Sequence, residues 1–373
     1  MLDSPRMRRR EILGLLGAVG AAPRTLLGQA APIPPVSLPR VPRVNGAINV
    51  PPLRHLDPAA NRLPGIVPEL VDAQVRALYE LGFAAIRITV SFSRFGQDFL
   101  AAIPYVRAAR ALGLDVLALL ADFSGYDLPQ ALTRARTRDE VLRTIVAILG
   151  PPPLPAGGAG FVGGLAWQVL NEPAHFLGIS PDAYVQELLA PAYEDLKRLA
   201  PDVVVVAAAE IGNVDGLARL RGMQEAGVEA YCDRVAYHVY GRNLLPYLAG
   251  LARKPAWVTE SGVAGVSSHL AWYRDVLPEI KDRIGNVERV YYFVLYEQAA
   301  RGFRLIDIQP AAGGGVSVVA ESDALARYLA ERVSAATGGT PTAAYRDLVP
   351  DIRAYFATDE DRALIAATSF GPA

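Results

Sequence analysis

Ala84-Ala85-Ile86-Arg87-Ile88-Thr89-Val90, then Asp98 to Leu112 closed by Gly113, then Leu114-Asp115-Val116-Leu117-Ala118-Leu119-Leu120, read as strand, helix, strand. Both apolar runs are too short for a helix with a buried face all round, and both are nearly continuous in aliphatic residues. That is how strands covered on two faces look. The amphipathic stretch between them is long enough to cross back over the sheet, so the two strands are parallel.

Working outward, the same unit recurs. Before it stand the strand Val44 to Asn49 and a helix from Pro68 to Leu81, capped by Gly82. After it come helix three (Gln130 to Leu149), a Pro/Gly-rich loop (150–164) and the strand Leu165 to Leu170. Ser180-Pro181-Asp182 supplies an N-cap and a first-turn proline for helix four. The strands Val203 to Ala208, Arg234 to Tyr240, Ala256 to Glu260 and Val290 to Tyr296 follow. Helices are expected over Asp215 to Ala226, Ser267 to Ile284 and Ser322 to Val333. Eight such units close a barrel of roughly 250 residues, where five or six would leave an open sheet. The expected fold is therefore an α/β chain forming a (β/α)8 TIM barrel over residues 43–335. A small C-terminal extension, 336–373, is expected to form a β-hairpin from 352–356 and 363–368.

The N-terminal region reads differently. Arg8-Arg9-Arg10-Glu11-Ile12-Leu13 leads into an apolar stretch ending at Ala22, and Gly28-Gln29-Ala30-Ala31 offers small residues for cleavage. This is the pattern of an export signal of the twin-arginine type over 1–30. About a dozen apolar residues are too few to span a bilayer, so no membrane anchor is expected. Residues 31–42 form a proline-rich lead-in. With 37 basic and 38 acidic side chains the net charge is −1, which gives no electrostatic footprint for nucleic acid or an anionic membrane. A neutral substrate fits better. Cys232 is the only cysteine, and the four histidines (His55, His175, His238, His269) lack helical metal-ligand spacing.

Barrel enzymes build their sites at the C-terminal ends of the strands, so the polar residues that end apolar runs carry the chemistry. Glu172 ends strand four within Asn171-Glu172-Pro173, and Glu260 ends strand seven within Val258-Thr259-Glu260-Ser261-Gly262. Two carboxyls are what a glycosidic bond requires, one to protonate the leaving oxygen and one to act at the sugar carbon. On this reading Glu172 is the acid/base and Glu260 the nucleophile.

Asn171-Glu172-Pro173 on strand four together with Glu260 on strand seven resembles the clan of retaining barrel glycoside hydrolases that includes cellulase-like family 5 and family 39. The likeness covers about Arg43 to Val333. It implies that Asn171 hydrogen-bonds a sugar 2-hydroxyl and that Arg87 holds Glu260 ionised. His238-Val239-Tyr240 matches the His-x-Tyr of strand six in family 5, so Tyr240 would donate to Glu260 and His238 would line the sugar site. The chain departs from family 5 in carrying Asp122-Phe123 where a histidine usually stands. It also has Tyr296 as the aromatic nearest to the usual strand-eight tryptophan. The resemblance implies an enzyme with a carbohydrate substrate, and no metal or organic cofactor is implied; the oligomeric state is not assigned. Transglycosylation at the same site, or a non-catalytic glycan-binding barrel, are the competing functions.

Overall fold

Eight parallel strands arise from the eight apolar runs: β1 (Val44–Asn49), β2 (Phe83–Val90), β3 (Asp115–Leu120), β4 (Leu165–Val169), β5 (Val204–Val206), β6 (Val235–Val239), β7 (Ala256–Ser261) and β8 (Val287–Tyr292). The structure is a computed structural model. It describes residues 44–50, 83–90, 108–120, 164–262 and 276–295, the strands 306–310 and 316–320, and scattered positions among 74–149 and at 272 and 303. The expected export signal (1–30), lead-in (31–42), last helix, C-terminal extension (336–373), Phe123 and Tyr296 lie outside the described residues.

The strands are ordered β5-β4-β3-β2-β1-β8-β7-β6, so the first strand pairs with both the second and the last. The seam between β5 and β6 is joined by one bridge, Val206 to Arg234, with Ala207 N donating to Arg234 O at 3.0 Å. That contact rounds the sheet into a nearly closed barrel, the (β/α)8 fold.

Period-two alternation sorts the side chains. One residue from each strand meets inside the barrel: Ala47, Ala85, Leu117, Ala166, Val206, Ala236, Trp257 and Tyr291. Four alanines make room for the indole and the phenol, which sit 6.1 Å apart. The alternate positions, among them Ile48, Ile86, Val116, Trp167, Tyr237 and Val290, face outward and pack with helix residues such as Tyr105, Leu196, Leu220 and Ile280. Burying both faces of the sheet is the largest favourable term in the fold.

Helices among the described residues include α1 (Pro173–Leu177), α2 (Ala190–Leu199), α3 (Val214–Glu225) and α4 (Leu277–Ile284). Ser180 Oγ accepts from Ala183 N at 3.2 Å, the N-cap expected of Ser180-Pro181-Asp182. The chain then passes through a π-helical turn, Tyr184–Leu189, before α2. Pro191 has no N–H to give to the preceding turn, which accounts for the widened register. Strand eight begins at Val287 and its ladder ends at Tyr292, three or four residues earlier than the apolar run suggests. A two-stranded antiparallel hairpin, β9 (Ile306–Pro310) and β10 (Val316–Ala320), follows in the chain.

The N-terminal end of the barrel is tied by a buried ion pair. Arg289 Nη2 donates to Asp115 Oδ2 at 2.9 Å, and Asp115 Oδ1 accepts from Gly164 N at 2.8 Å. The Arg289 guanidinium also lies over the Trp257 ring, 5.1 Å from its centre. Removing one partner of a buried pair leaves the other charge poorly compensated, whereas replacing both with apolar groups is far milder. Asp115→Ala should therefore lower stability by about 3–5 kcal/mol in urea unfolding. The pair Asp115→Leu with Arg289→Met should recover most of that loss.

Candidate active site

Two local distortions deliver the strand-four and strand-seven glutamates to the barrel mouth. The first follows β4. Leu170 (φ 66°) and Glu172 (φ 45°) both occupy the left-handed region, unusual for residues with a β-carbon and costing on the order of 1–3 kcal/mol each. Backbone bonds hold the turn: Leu170 N donates to Leu120 O at 2.8 Å and Glu172 N to Ala209 O at 2.9 Å. Pro173 then opens α1 in the position that suits proline.

The second distortion lies in β7. Trp257 faces the barrel interior, so strict alternation would turn Thr259 inward and Glu260 outward. The pairing with β6 instead jumps from Tyr237↔Val258 to His238↔Glu260. Thr259 is the extra residue of a bulge, and a bulge re-aims the side chains beyond it. Glu260 thereby faces inward beside His238. Gly262 ends the strand where a β-carbon would stand 2.9 Å from Phe293 O, so the backbones of β7 and the β8 exit approach as only glycine permits.

Glu172 and Glu260 meet at the mouth through His238. His238 Nδ1 shares a 2.6 Å hydrogen bond with Glu172 Oε1, and its Nε2 lies 3.5 Å from Glu260 Oε1. One carboxylate oxygen from each glutamate and one nitrogen of His238 all lie within 4.8 Å of one another. Arg87, inward-facing on β2, donates to Gln168 Oε1 (2.8 Å), Glu260 Oε1 (2.8 Å) and Asn171 Oδ1 (2.6 Å). Tyr240 Oη donates to Glu260 Oε2 at 2.8 Å. Such a Glu-His-Glu group could hold a cation by spacing alone. The guanidinium already bonded to Glu260 Oε1 would repel one.

Electrostatics separates the two ends of this network. Burial by itself pushes the Glu260 carboxyl up, but the attraction of His238 and Arg87 and the hydrogen bonds from Arg87 and Tyr240 outweigh it and hold the group below the ordinary carboxylate range. Burial and the adjacent Glu260 charge keep the Tyr240 phenol well above its usual range, so it remains a donor.

The structure thus brings together Arg87, Asn171, Glu172, His238, Tyr240 and Glu260, while Tyr296 lies outside the described residues. Two neighbours escape sequence reading. Phe293, just past the end of β8, packs edge-on against Tyr240 with centroids 6.2 Å apart, and Phe303 stands 5.5 Å from the same ring. Starting strand eight at Val287 would have found Phe293. Glu210, just beyond β5, is fully buried and its Oε1 accepts from Ala174 N at 2.9 Å. It too is a polar residue ending an apolar run, the same signal that marks Glu172 and Glu260.

No family model matches the sequence, and no curated protein matches it. Solved structures do match the fold. The chain is similar to the endo-β-1,4-glucanase Xac0029 from Xanthomonas axonopodis pv. citri, at 13% identity over 79% of this chain and 99% of that one, with a TM-score of 0.50. It is similar to the catalytic domain of GH30 xylanase C from Talaromyces cellulolyticus, at 13% identity over 77% and 75%, TM-score 0.50. A GH5_18 structure from Streptomyces cattleya, in complex with GlcNAc, matches at 16% identity over 81% and 82%, TM-score 0.50. At these identities the likeness is one of fold, and these three structures are of glycoside hydrolases.

The depressed Glu260 carboxyl is directly measurable. Carbon-13 carboxyl NMR should place its midpoint below that of exposed glutamates, and Tyr240→Phe should move it upward by removing a donor to the charged form. Because the folded-state value lies below the unfolded one, this group contributes stability at neutral pH that is lost as the pH falls through the folded midpoint. An unmoved midpoint in Tyr240→Phe would mean that the phenol does not hold the charge.

Proposed function

We propose that the protein is an exported glycoside hydrolase that cleaves β-glycosidic bonds with retention of configuration. Glu260 is the nucleophile and Glu172 the general acid/base. The observation that carries this reading is the separation of the two carboxyls, whose nearest ligand oxygens lie no more than 4.8 Å apart. Retaining sites hold their carboxyls about 5–5.5 Å apart, and inverting sites about 6.5–9.5 Å, to admit a water between them. Glu260, bonded by Arg87 and Tyr240, is held as the charged attacking group. It displaces the leaving group at the anomeric carbon as Glu172 passes its proton to the departing oxygen. Glu172 then takes a proton from the water that releases the sugar. Asn171 lies beside both groups, where it would bond the 2-hydroxyl. Export rests on the twin-arginine pattern, and no helix among the described residues is long and apolar enough to cross a membrane.

Aryl β-glycosides of graded leaving-group ability test the assignment. Glu260→Gly should lose activity by several orders of magnitude on every substrate. Glu172→Ala should lose kcat/KM by about 10²–10⁴-fold on poor leaving groups and far less on activated ones. Equal losses would contradict the acid/base role. Proton NMR of the first-formed sugar should show the β anomer.

Substrate size follows from the aromatic side chains. Trp167, Trp257 and Trp272 are all buried, each 2% exposed or less, so none offers a face to a sugar. The aromatics described at the mouth are Tyr240, Phe293 and Phe303, with Phe176 on α1 about half exposed at 52%. Flat insoluble chains need an extended aromatic platform. The substrates proposed are soluble or short β-linked glycans, and sugar release from crystalline cellulose should be negligible beside that from soluble glycan under matched conditions.

A further inference from the structure

The acid/base carboxyl stands on a strained, uncapped helix start, and the means of holding it there lies on a neighbouring strand. Glu172 occupies the N-cap position of α1 in a left-handed conformation, yet its side chain makes no capping bond because it is turned toward His238. An N-cap normally accepts from the second or third N–H of its helix. In α1 the N–H groups of His175 and Phe176 reach Glu172 O at 3.0 Å each, and Pro173 has none to place. Ala174 N is left for another acceptor, and Glu210 Oε1 takes it at 2.9 Å.

Glu210 is well placed for that task. It lies beyond the end of β5, after Ala207-Ala208-Ala209, and is fully buried, and its Oε2 lies 3.6 Å from Arg219 Nη1 on α3. The strand ends beneath it are locked together. Tyr184 Oη donates to Val169 O at 2.9 Å and accepts from Ala208 N at 2.6 Å, and Glu172 N bonds Ala209 O. The acceptor and the turn it holds are therefore fixed to one frame. Burial raises the Glu210 carboxyl above its ordinary range, while the Ala174 N–H and Arg219 oppose the rise. A buried carboxyl of this kind is costly unless it is satisfied.

We propose that Glu210 is a positioning residue for the acid/base: by capping α1 from strand five in place of the N-cap side chain, it frees Glu172 to face the scissile bond and fixes its backbone in the left-handed turn. The inference rests on the acid/base reading of Glu172. It differs from a purely structural role in what it does to rate, because a misplaced acid slows the first chemical step, read as kcat/KM, only for leaving groups that need proton donation.

The test uses the full chain and the same graded aryl β-glycosides. Glu210→Ala should lose kcat/KM by about a hundredfold on poor leaving groups, the scale expected of a misplaced catalytic group, and by less than about tenfold on activated ones. Glu210→Gln keeps an oxygen acceptor for Ala174 N–H and should restore activity to within about tenfold of the native protein on both. Should Glu210→Ala fail to fold, Glu210→Asp, which withdraws the acceptor by one methylene, should show the same selectivity in smaller measure. Equal losses on both substrate classes, or Glu210→Gln as impaired as Glu210→Ala, would overturn the proposal. Glu172→Ala is the control. If it lacks leaving-group selectivity, the acid/base reading has failed; if it shows the selectivity and the Glu210 variants do not, only the positioning role has.

Discussion

A guanidinium placed inside a barrel of aliphatic side chains has to be satisfied on several sides at once, and Arg87 is placed so. Its three nitrogens reach β4 through Gln168, the turn after β4 through Asn171, and β7 through Glu260. These strands are not neighbours across the mouth: β2 and β4 flank β3, while β7 lies beyond β1 and β8. One side chain thus ties separate arcs of the rim into a single frame. Breaking any of the three bonds would leave a buried donor unmet, which costs more than the bond contributes when made. The planar fork of arginine suits this, where the point charge of lysine would not. The carboxylate on Nη1 is held charged as a consequence of satisfying the guanidinium, so orientation and ionisation of Glu260 have one cause.

The rim is also where the chain departs from regular geometry. The left-handed residues Leu170 and Glu172 and the β7 bulge at Thr259 lie just beside the two glutamates. At the other end of the barrel Asp115 and Arg289 form a buried pair, and Trp257 and Tyr291 fill the interior above four alanines. A packed interior resists deformation, so the strain at the mouth rests on a base that does not yield. Strained backbone persists only where its surroundings over-determine it. Here Ala209 O, Leu120 O and the Glu210 carboxylate do so for the turn after β4.

Much of this was legible in the residues. Strands covered by helices on one side and filled from the other read as continuous aliphatic runs, so their number and order could be counted. Arg87 could be placed inward by alternation from Ala85, and His238 and Tyr240 share one face for the same reason. The end of strand eight could not be placed, because Val290 to Leu295 stays apolar and aromatic past the last ladder pair. The bulge was equally hidden: Thr259 looks like any strand residue, and only the register with β6, which steps from Val258 to Glu260, reveals it. Nor does anything in Leu170-Asn171-Glu172 announce two left-handed residues, since neither is glycine. Glu210 was visible as a strand-end carboxylate, but its partner, Ala174 N, is a backbone group brought near by the fold alone.

The asymmetry around the two glutamates supports giving them different roles. Glu260 is met by a permanent cation and by a phenol that stays protonated, an environment suited to a group that must be charged when substrate arrives. The described polar contact of Glu172 is His238 Nδ1, an atom that can either give or accept a hydrogen. The other ring nitrogen, Nε2, lies 3.5 Å from Glu260 Oε1. In the acid/base role proposed for Glu172 a proton is lost and regained in each turnover, and an imidazole nitrogen can match both states. A fixed cation in that place would favour only one of them. The chemistry proposed needs one carboxyl held in one state and the other free to change, and the neighbours at this mouth differ in that sense.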